Sequence, residues 1–340
     1  MVRSETSVVP SRIANETELI QTYLAPLAAG YAGAFGLADD AALISPEPGM
    51  ELVISTDPVI AGVHFFATDA PDDIAWKALA VNVSDLAAKG ARPFAYTMAL
   101  AFPDMPERAW MEQFRGGLAK AQTAFGCHLI GGDTDKTSGP LSISITVLGS
   151  VPKGQIVRRS GAKAGDHVFV SGTIGDSALG LRLRRDNPNW GSSLKSDEAA
   201  FLLDRYLRPQ PRVQLGPLLP DYASASLDIS DGLLKDVRRL ASDLSLTIAF
   251  DAIPLSPAAK AALKSDVAVR DVILSGGDDY ELVFAVPASR LASFRAAIKS
   301  VLFPVTEIGI LEPGSGVAVV LSSGVVIPAN DGGYDHFSIR

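Results

Sequence analysis

Five short runs of this chain set carboxylates beside Gly, Ser or Thr at the ends of apolar stretches: Ala38-Asp39-Asp40, Ser55-Thr56-Asp57, Gly131-Gly132-Asp133-Thr134, Asp228-Ile229-Ser230-Asp231-Gly232 and Gly276-Gly277-Asp278-Asp279. Acids on tight turns at strand ends are poorly placed for solubility and well placed to hold hard cations. An oxygen-only donor set suits Mg²⁺, which binds through a few carboxylates, waters and substrate phosphates. The chemistry indicated is therefore phosphate chemistry.

Each run also has a plainer reading. Asp39-Asp40 is a metal corner or a solvated turn. Asp57, before Pro58, starts a turn or ends a strand as a ligand. Asp85 stands in the apolar helical stretch Ala78–Ala88, with Asn82 and Lys89 on its face. It pairs with Lys89 at i,i+4 or is presented to a metal, and an acid among so many apolar residues needs a partner. Gly131-Gly132 either makes a tight turn or lets backbone N–H groups approach a phosphate, with Asp133 holding its metal. Asp231 can cap the next helix, but Asp228 and Ser230 exceed what a cap requires. Arg158 and Arg159 offer guanidinium forks for phosphate oxygens.

The elements that must position these residues alternate between strand and helix. Asn15 with Glu18 forms a capping box ahead of Leu19, Ile20, Tyr23, Leu24 and Leu27. Strands are expected at 41–45 and 51–56, a helix from Pro71 to about Gly90, a strand over 93–102, a helix over 106–126, and strands over 127–130 and 141–148. A second unit begins near Val151. It has strands at 167–171, 223–229, 246–251 and 281–286, helices from Asp176, over 231–244 and over 289–301, and a hairpin turn at Ser322-Ser323-Gly324. The class is α/β (α+β) in two domains, 1–150 and 151–340.

Composition narrows the function. The chain has 340 residues, 47% hydrophobic and 20% charged, enough for two cores. Its net charge of −8 argues against a nucleic-acid partner and requires metal ions or local Arg/Lys to admit an anionic substrate. No apolar run approaches the roughly 18 residues of a membrane span, and Met1–Arg12 lacks a signal-peptide core. A single cysteine, Cys127, fits the reducing cytoplasm, and with four histidines it disfavours a zinc or iron–sulfur site. No Gly-x-x-x-x-Gly-Lys-Ser/Thr or Gly-x-Gly-x-x-Gly motif occurs, so P-loop and Rossmann nucleotide binding are not supported.

Taken in order, the acidic runs resemble the thiamine-monophosphate kinase family, of the superfamily that includes aminoimidazole ribonucleotide synthetase and selenophosphate synthetase. The matching stretches also include Gly62-Val63-His64-Phe65, the run from Trp76 to Ala88, Arg159-Ser160-Gly161-Ala162, Tyr280-Glu281-Leu282 and Gly333-Tyr334-Asp335-His336-Phe337. The resemblance implies ATP-dependent phosphorylation of thiamine monophosphate to thiamine diphosphate. It implies several Mg²⁺ ions on Asp40, Ser55, Thr56, Asp57, Asp85, Asp133, Asp228 and Asp231. Gly132, Asp133, Arg159 and Ser230 would face ATP, and His64, Asp278 and Tyr334 would contact the thiamine phosphate. No catalytic residue beyond these ligands is implied, and a monovalent cation requirement stays open. The N-terminal mixed-sheet domain would bind ATP and pair through its strands in a homodimer. Another ATP-using enzyme of the superfamily, of ligase or selenophosphate synthetase type, and a non-enzymatic nucleotide-binding regulator stand as alternatives. Two positions depart from the family pattern. Ala38 replaces a glycine, which would be strained if that residue needs positive φ. The loop Thr134–Gly139 is two residues longer.

Overall fold

The computed structural model describes residues 11–329; Tyr334 and the run around it lie outside the described residues. The chain forms two compact units. Of the described residues, the first holds 11–45, 56–79 and 94–147, and the second 46–55, 80–93 and 148–329. Strands β1 (Met50–Ile60), β2 (Arg92–Phe102), β3 (His128–Lys136) and β4 (Ser142–Pro152) make one sheet in the order β1-β4-β2-β3. β2 and β3 run parallel, with a register shift after Tyr96. The helix Pro71–Ala88 is apolar almost all round and correspondingly buried, Lys77, Asn82 and Ser84 included. At the N-terminus Asn15 caps as expected, accepting from the Glu18 N–H at 2.9 Å, and Glu18 reaches back to the Ala14 N–H. The segment continues through a π-helical turn, Ile20–Leu24.

In the second unit, β5 (His167–Ser171), β6 (Ala225–Ile229), β8 (Glu281–Val286) and β9 (Val305–Ile310) form an antiparallel sheet in the order β6-β8-β5-β9. Successive side chains leave opposite faces of a strand. Here Val168, Val170, Leu227, Val283 and Ala285 enter one apolar cluster, while Phe169, Leu282, Phe284 and Val286 enter another. The sheet is covered on both faces, so β8 is a continuous apolar run behind its leading Glu281. A smaller mixed sheet, β10-β7-β11-β12, is built from β7 (Leu244–Ala249), β10 (Glu312–Pro313), β11 (Gly316–Val320) and β12 (Val326–Pro328). The turn at 322–324 joins its last two strands, as expected.

The α/β (α+β) class is borne out, and four local expectations are corrected. Residues 41–45 form no strand; the Leu43 N–H donates to Gly33 O, and Leu43 is 60% exposed. Ser55-Thr56-Asp57 does not end β1, which runs on through Pro58 to Ile60. A proline is tolerated there because β1 is an edge strand. Gly131–Thr134 is no turn but the middle of β3. A Cβ on Gly132 would meet Met98 O at 1.9 Å, so the close parallel neighbour demands glycine there. Residues 134–136 of the longer loop likewise continue β3. Ala38 has φ −105° and carries no strain; the left-handed residues are Phe35, Gly36 and Leu37 just before it.

Candidate active site

In the first unit, residues 129–134 of β3 meet the Asp39-Asp40 loop and the N-terminal helical segment around a cleft of about 300 Å³. Glu16, Asp39, Asp40, Gly132, Asp133 and Thr134 supply its polar wall, and Ile20, Leu24, Leu37, Met98 and Leu129 its apolar one. Asp39 accepts the Asp40 N–H at 2.8 Å, and Asp133 accepts the Thr134 N–H at 2.9 Å. Both acids thus bond to the backbone of the next residue, and Asp40 and Asp133 face one space. Thr56 Oγ1 donates to Ile145 O at 3.0 Å and lies 2.9 Å from Thr146 Oγ1. Asp57 is exposed on the same strand. His64 Nδ1 accepts the Ile60 N–H at 3.1 Å, which fixes the ring and leaves Nε2 as the protonated nitrogen when the ring is neutral.

In the second unit, Ser55 Oγ donates to Asp85 Oδ2 at 2.5 Å. The sequence allowed an Asp85–Lys89 pair; instead Lys89 Nζ donates to Ser226 O at 2.8 Å, at the start of the Asp228 run. Burial first, and the Asp85 carboxylate second, push Asp228 up to about 7; Ser84 and Lys89 pull the other way. Lys89 is lowered chiefly by burial, with Asp228 opposing and Arg159 adding to the fall. Asp85, Asp228, Lys89 and Arg159 therefore share one electrostatic neighbourhood. Asp228 thus carries a carboxyl whose proton affinity is raised by burial and by a neighbouring carboxylate, an environment that a cation would relieve.

The runs at 228–232 and 276–280 interlock. The Asp278 N–H donates to Ser230 O at 2.9 Å and the Tyr280 N–H to Ile229 O at 2.9 Å. Gly232 and Gly277 allow the approach: a Cβ on Gly232 would meet Ser275 O at 2.7 Å, and one on Gly277 would meet Ser230 O at 2.3 Å. Asp278 is left-handed, φ 71°, a conformation that Asp tolerates better than most residues. Asp231 pairs with Lys235 at 3.0 Å and Arg239 at 2.8 Å.

The three acids of the second Gly-Gly-Asp run do different work. Asp279 is buried and accepts the N–H groups of Gly175 and Ser177, at the start of the helix Asp176–Asp186. Glu281 is buried and held by Arg212 and by Ser171 Oγ. Only Asp278 retains partial exposure. Sequence reasoning missed Asp236, whose wholly buried carboxylate accepts the N–H groups of Ser230 and Asp231. Its signal was legible: an acid on the apolar face formed by Leu233, Val237 and Leu240. Among the described residues no three His, Cys, Asp or Glu side chains close into metal-holding geometry, and no helix is long and apolar enough to cross a membrane.

Comparison with known proteins bears on the family and the fold. The family model for AIR synthase related protein, N-terminal domain, matches residues 38–151. Thiamine-monophosphate kinase of Caulobacter vibrioides is 42% identical over 322 residues, 93% of this chain and 90% of that protein. The crystal structure of thiamine-monophosphate kinase from Stenotrophomonas maltophilia K279a superposes with TM-score 0.76 at 41% identity, covering 83% of this chain and 89% of that one. The structure of AaThiL complexed with AMPPCP and TMP superposes with TM-score 0.74 at 33% identity, over 91% and 98% of the two chains. With this identity sustained over nine-tenths of its length, the chain belongs to the thiamine-monophosphate kinase family.

Proposed function

We propose that the protein transfers the γ-phosphate of ATP to thiamine monophosphate, giving thiamine diphosphate. The observation that carries this reading is the hydrogen bond from the Asp278 N–H to Ser230 O. It joins the residue assigned by resemblance to the thiamine phosphate to a residue assigned to ATP. Family membership supports the same reading, as does the relative whose complex holds AMPPCP and TMP.

The acceptor is a phosphate monoester, already mostly dianionic at neutral pH because its second pKa is about 6. No general base is needed to make it a nucleophile, which accounts for a site rich in acids without a histidine or lysine in that role. The obstacle is the repulsion of two polyanions, about 4 kcal/mol per unit-charge pair at 4 Å and an effective dielectric near 20. The donor set fits hard cations. Asp40, Thr56, Asp57 and Asp133 in the first unit, and Ser55, Asp85, Asp228 and Asp231 in the second, supply only oxygen. Bound there, several Mg²⁺ ions would neutralise the phosphates and favour in-line transfer. The chain's own part is to hold those oxygens still, to turn Arg159 and the Gly132 backbone toward ATP, and to offer His64, Asp278 and Tyr334 to the second substrate.

The N-terminal domain, 1–150, is assigned ATP and metal binding and dimerisation, and 151–340 is a C-terminal α/β domain. Pairing of two chains through the first sheet is supported by its edge strand β1, which leaves Leu52 and Ile54 exposed at 39% and 61%. Action in the cytoplasm fits the single buried thiol of Cys127. The test is incubation with ATP, Mg²⁺ and thiamine monophosphate, with thiamine diphosphate read by fluorescence after oxidation. Equal amounts of ADP and thiamine diphosphate are expected. ATP binding without product overturns the reaction.

A further inference from the structure

We propose that Asp236 is a positioning residue of the site: its buried carboxylate fixes the Ser230 and Asp231 backbone and so sets where their side chains stand. The proposal rests on the kinase reading and extends it to a residue that touches no substrate.

Both carboxylate oxygens of Asp236 are engaged. Oδ2 accepts the Ser230 N–H at 3.1 Å and the Asp231 N–H at 2.9 Å, and Oδ1 accepts from Arg239 at 2.7 Å. The same guanidinium continues to Asp231 at 2.8 Å, so one cation ties the loop acid to the buried acid beneath it. This is not helix capping. The helix Leu233–Ala241 has its unpaired N–H groups in its own first turn, whereas the two amides that Asp236 takes precede that turn. Its bonds serve the loop.

The consequence is local rigidity on both sides of one residue. The N–H of Ser230 is held by Asp236 and its carbonyl by the Asp278 N–H. The two amides are also withdrawn from any ligand, so the loop offers hydroxyl and carboxylate oxygens rather than an anion-binding nest. Burial raises the proton affinity of this carboxyl, and the Asp231 amide and the Arg239 guanidinium pull the other way, toward the charged form.

The test compares Asp236→Ala, which removes both acceptor oxygens, with Asp236→Asn, which keeps one. Folding is checked by circular dichroism. Hydrogen exchange of peptides spanning 228–232 is measured by mass spectrometry against β8 as an internal reference, alongside kcat and KM for ATP and for thiamine monophosphate. In Asp236→Ala, exchange at Ser230 and Asp231 is expected to quicken at least tenfold while β8 is unchanged, and kcat/KM for ATP to fall at least tenfold. Asp236→Asn should lie between. A merely structural role lowers the folded fraction and leaves KM and loop exchange unmoved in the folded molecules, which overturns the proposal. Faster exchange with unchanged kinetic constants overturns it equally. If Asp236→Ala does not fold, Asp236→Asn decides by the same readouts. If the wild-type protein makes no thiamine diphosphate, the kinase reading has failed separately; loop exchange and equilibrium binding of an ATP analogue with Mn²⁺ then judge Asp236, and wild-type values of both reject it.

Discussion

Replacing Glu281 by Gln separates acids that build the fold from acids that face a substrate. Glu281 is 5% exposed, and its carboxylate engages Arg212 and accepts from Ser171 Oγ at 2.5 Å; that hydroxyl in turn accepts the Leu282 N–H at 2.8 Å. The substitution leaves the Arg212 guanidinium, whose side chain is 15% exposed, without its counter-charge over the Phe303 ring. Breaking a buried pair from one side costs about 3–5 kcal/mol. Because Arg212 keeps some access to water, the lower end applies, about 3 kcal/mol, or roughly a hundredfold in the unfolding equilibrium. With a urea slope near the upper end for single domains, about 3 kcal/mol/M, the transition of the second unit moves down by about 1 M. The assay is urea unfolding followed by tryptophan fluorescence, since Trp190 is buried in that unit's core. Asp278→Asn is the control. Asn also tolerates the left-handed backbone, so its transition should stay within about 0.2 M of wild type while its KM for thiamine monophosphate rises. An Glu281→Gln protein with the wild-type transition and lost turnover would refute the division, because Glu281 would then be a ligand and not a strut.

Three further outcomes are expected. Asp85→Asn should fold and lose about a hundredfold or more in turnover, because a metal oxygen worth several kcal/mol in the transition state is replaced by a neutral amide; wild-type kcat from the folded variant would reject the role. Burial pushes the Cys127 thiol up to about 12, so a thiol-specific reagent at pH 8 should label the native protein far more slowly than the urea-unfolded chain, as counted by mass spectrometry. Burial, with Asp176 and Glu281 adding to it, raises Asp279 well above the usual carboxylate range. The folded state therefore binds more protons than the unfolded one from about pH 4 upward, and stability contributed by this group falls as pH rises through that window. Asp279→Asn should flatten the slope of unfolding free energy between pH 5 and 7, and an unchanged slope would show that the carboxyl does not titrate there.

The sequence revealed elements whose own pattern defines them and hid those defined by a neighbour. β5 and β8 lie where expected because each is a short apolar run bounded by turn residues. Gly131-Gly132 has the local chemistry of a turn, yet it sits inside β3, because only the parallel approach of Met98 reveals why a side chain is forbidden there. Residues 41–45 have a strand's composition and no strand partner. The acidic runs were legible as a set, but the partition within them was not. Asp278, Asp279 and Glu281 stand within four positions of one another, and their fates are set by Ser230, Gly175 and Arg212, each far away in the chain. Asp236 makes the converse point. An acid on the apolar face of a helix announces in the sequence that something must meet it, but not what. In this chain the answer is the backbone of the loop that carries Ser230 and Asp231. Structural acids are thus marked by where their hydrogen-bond capacity is spent: Asp279, Glu281 and Asp236 each accept from two or more fixed donors of the fold, whereas Asp85 accepts a single hydroxyl on one oxygen.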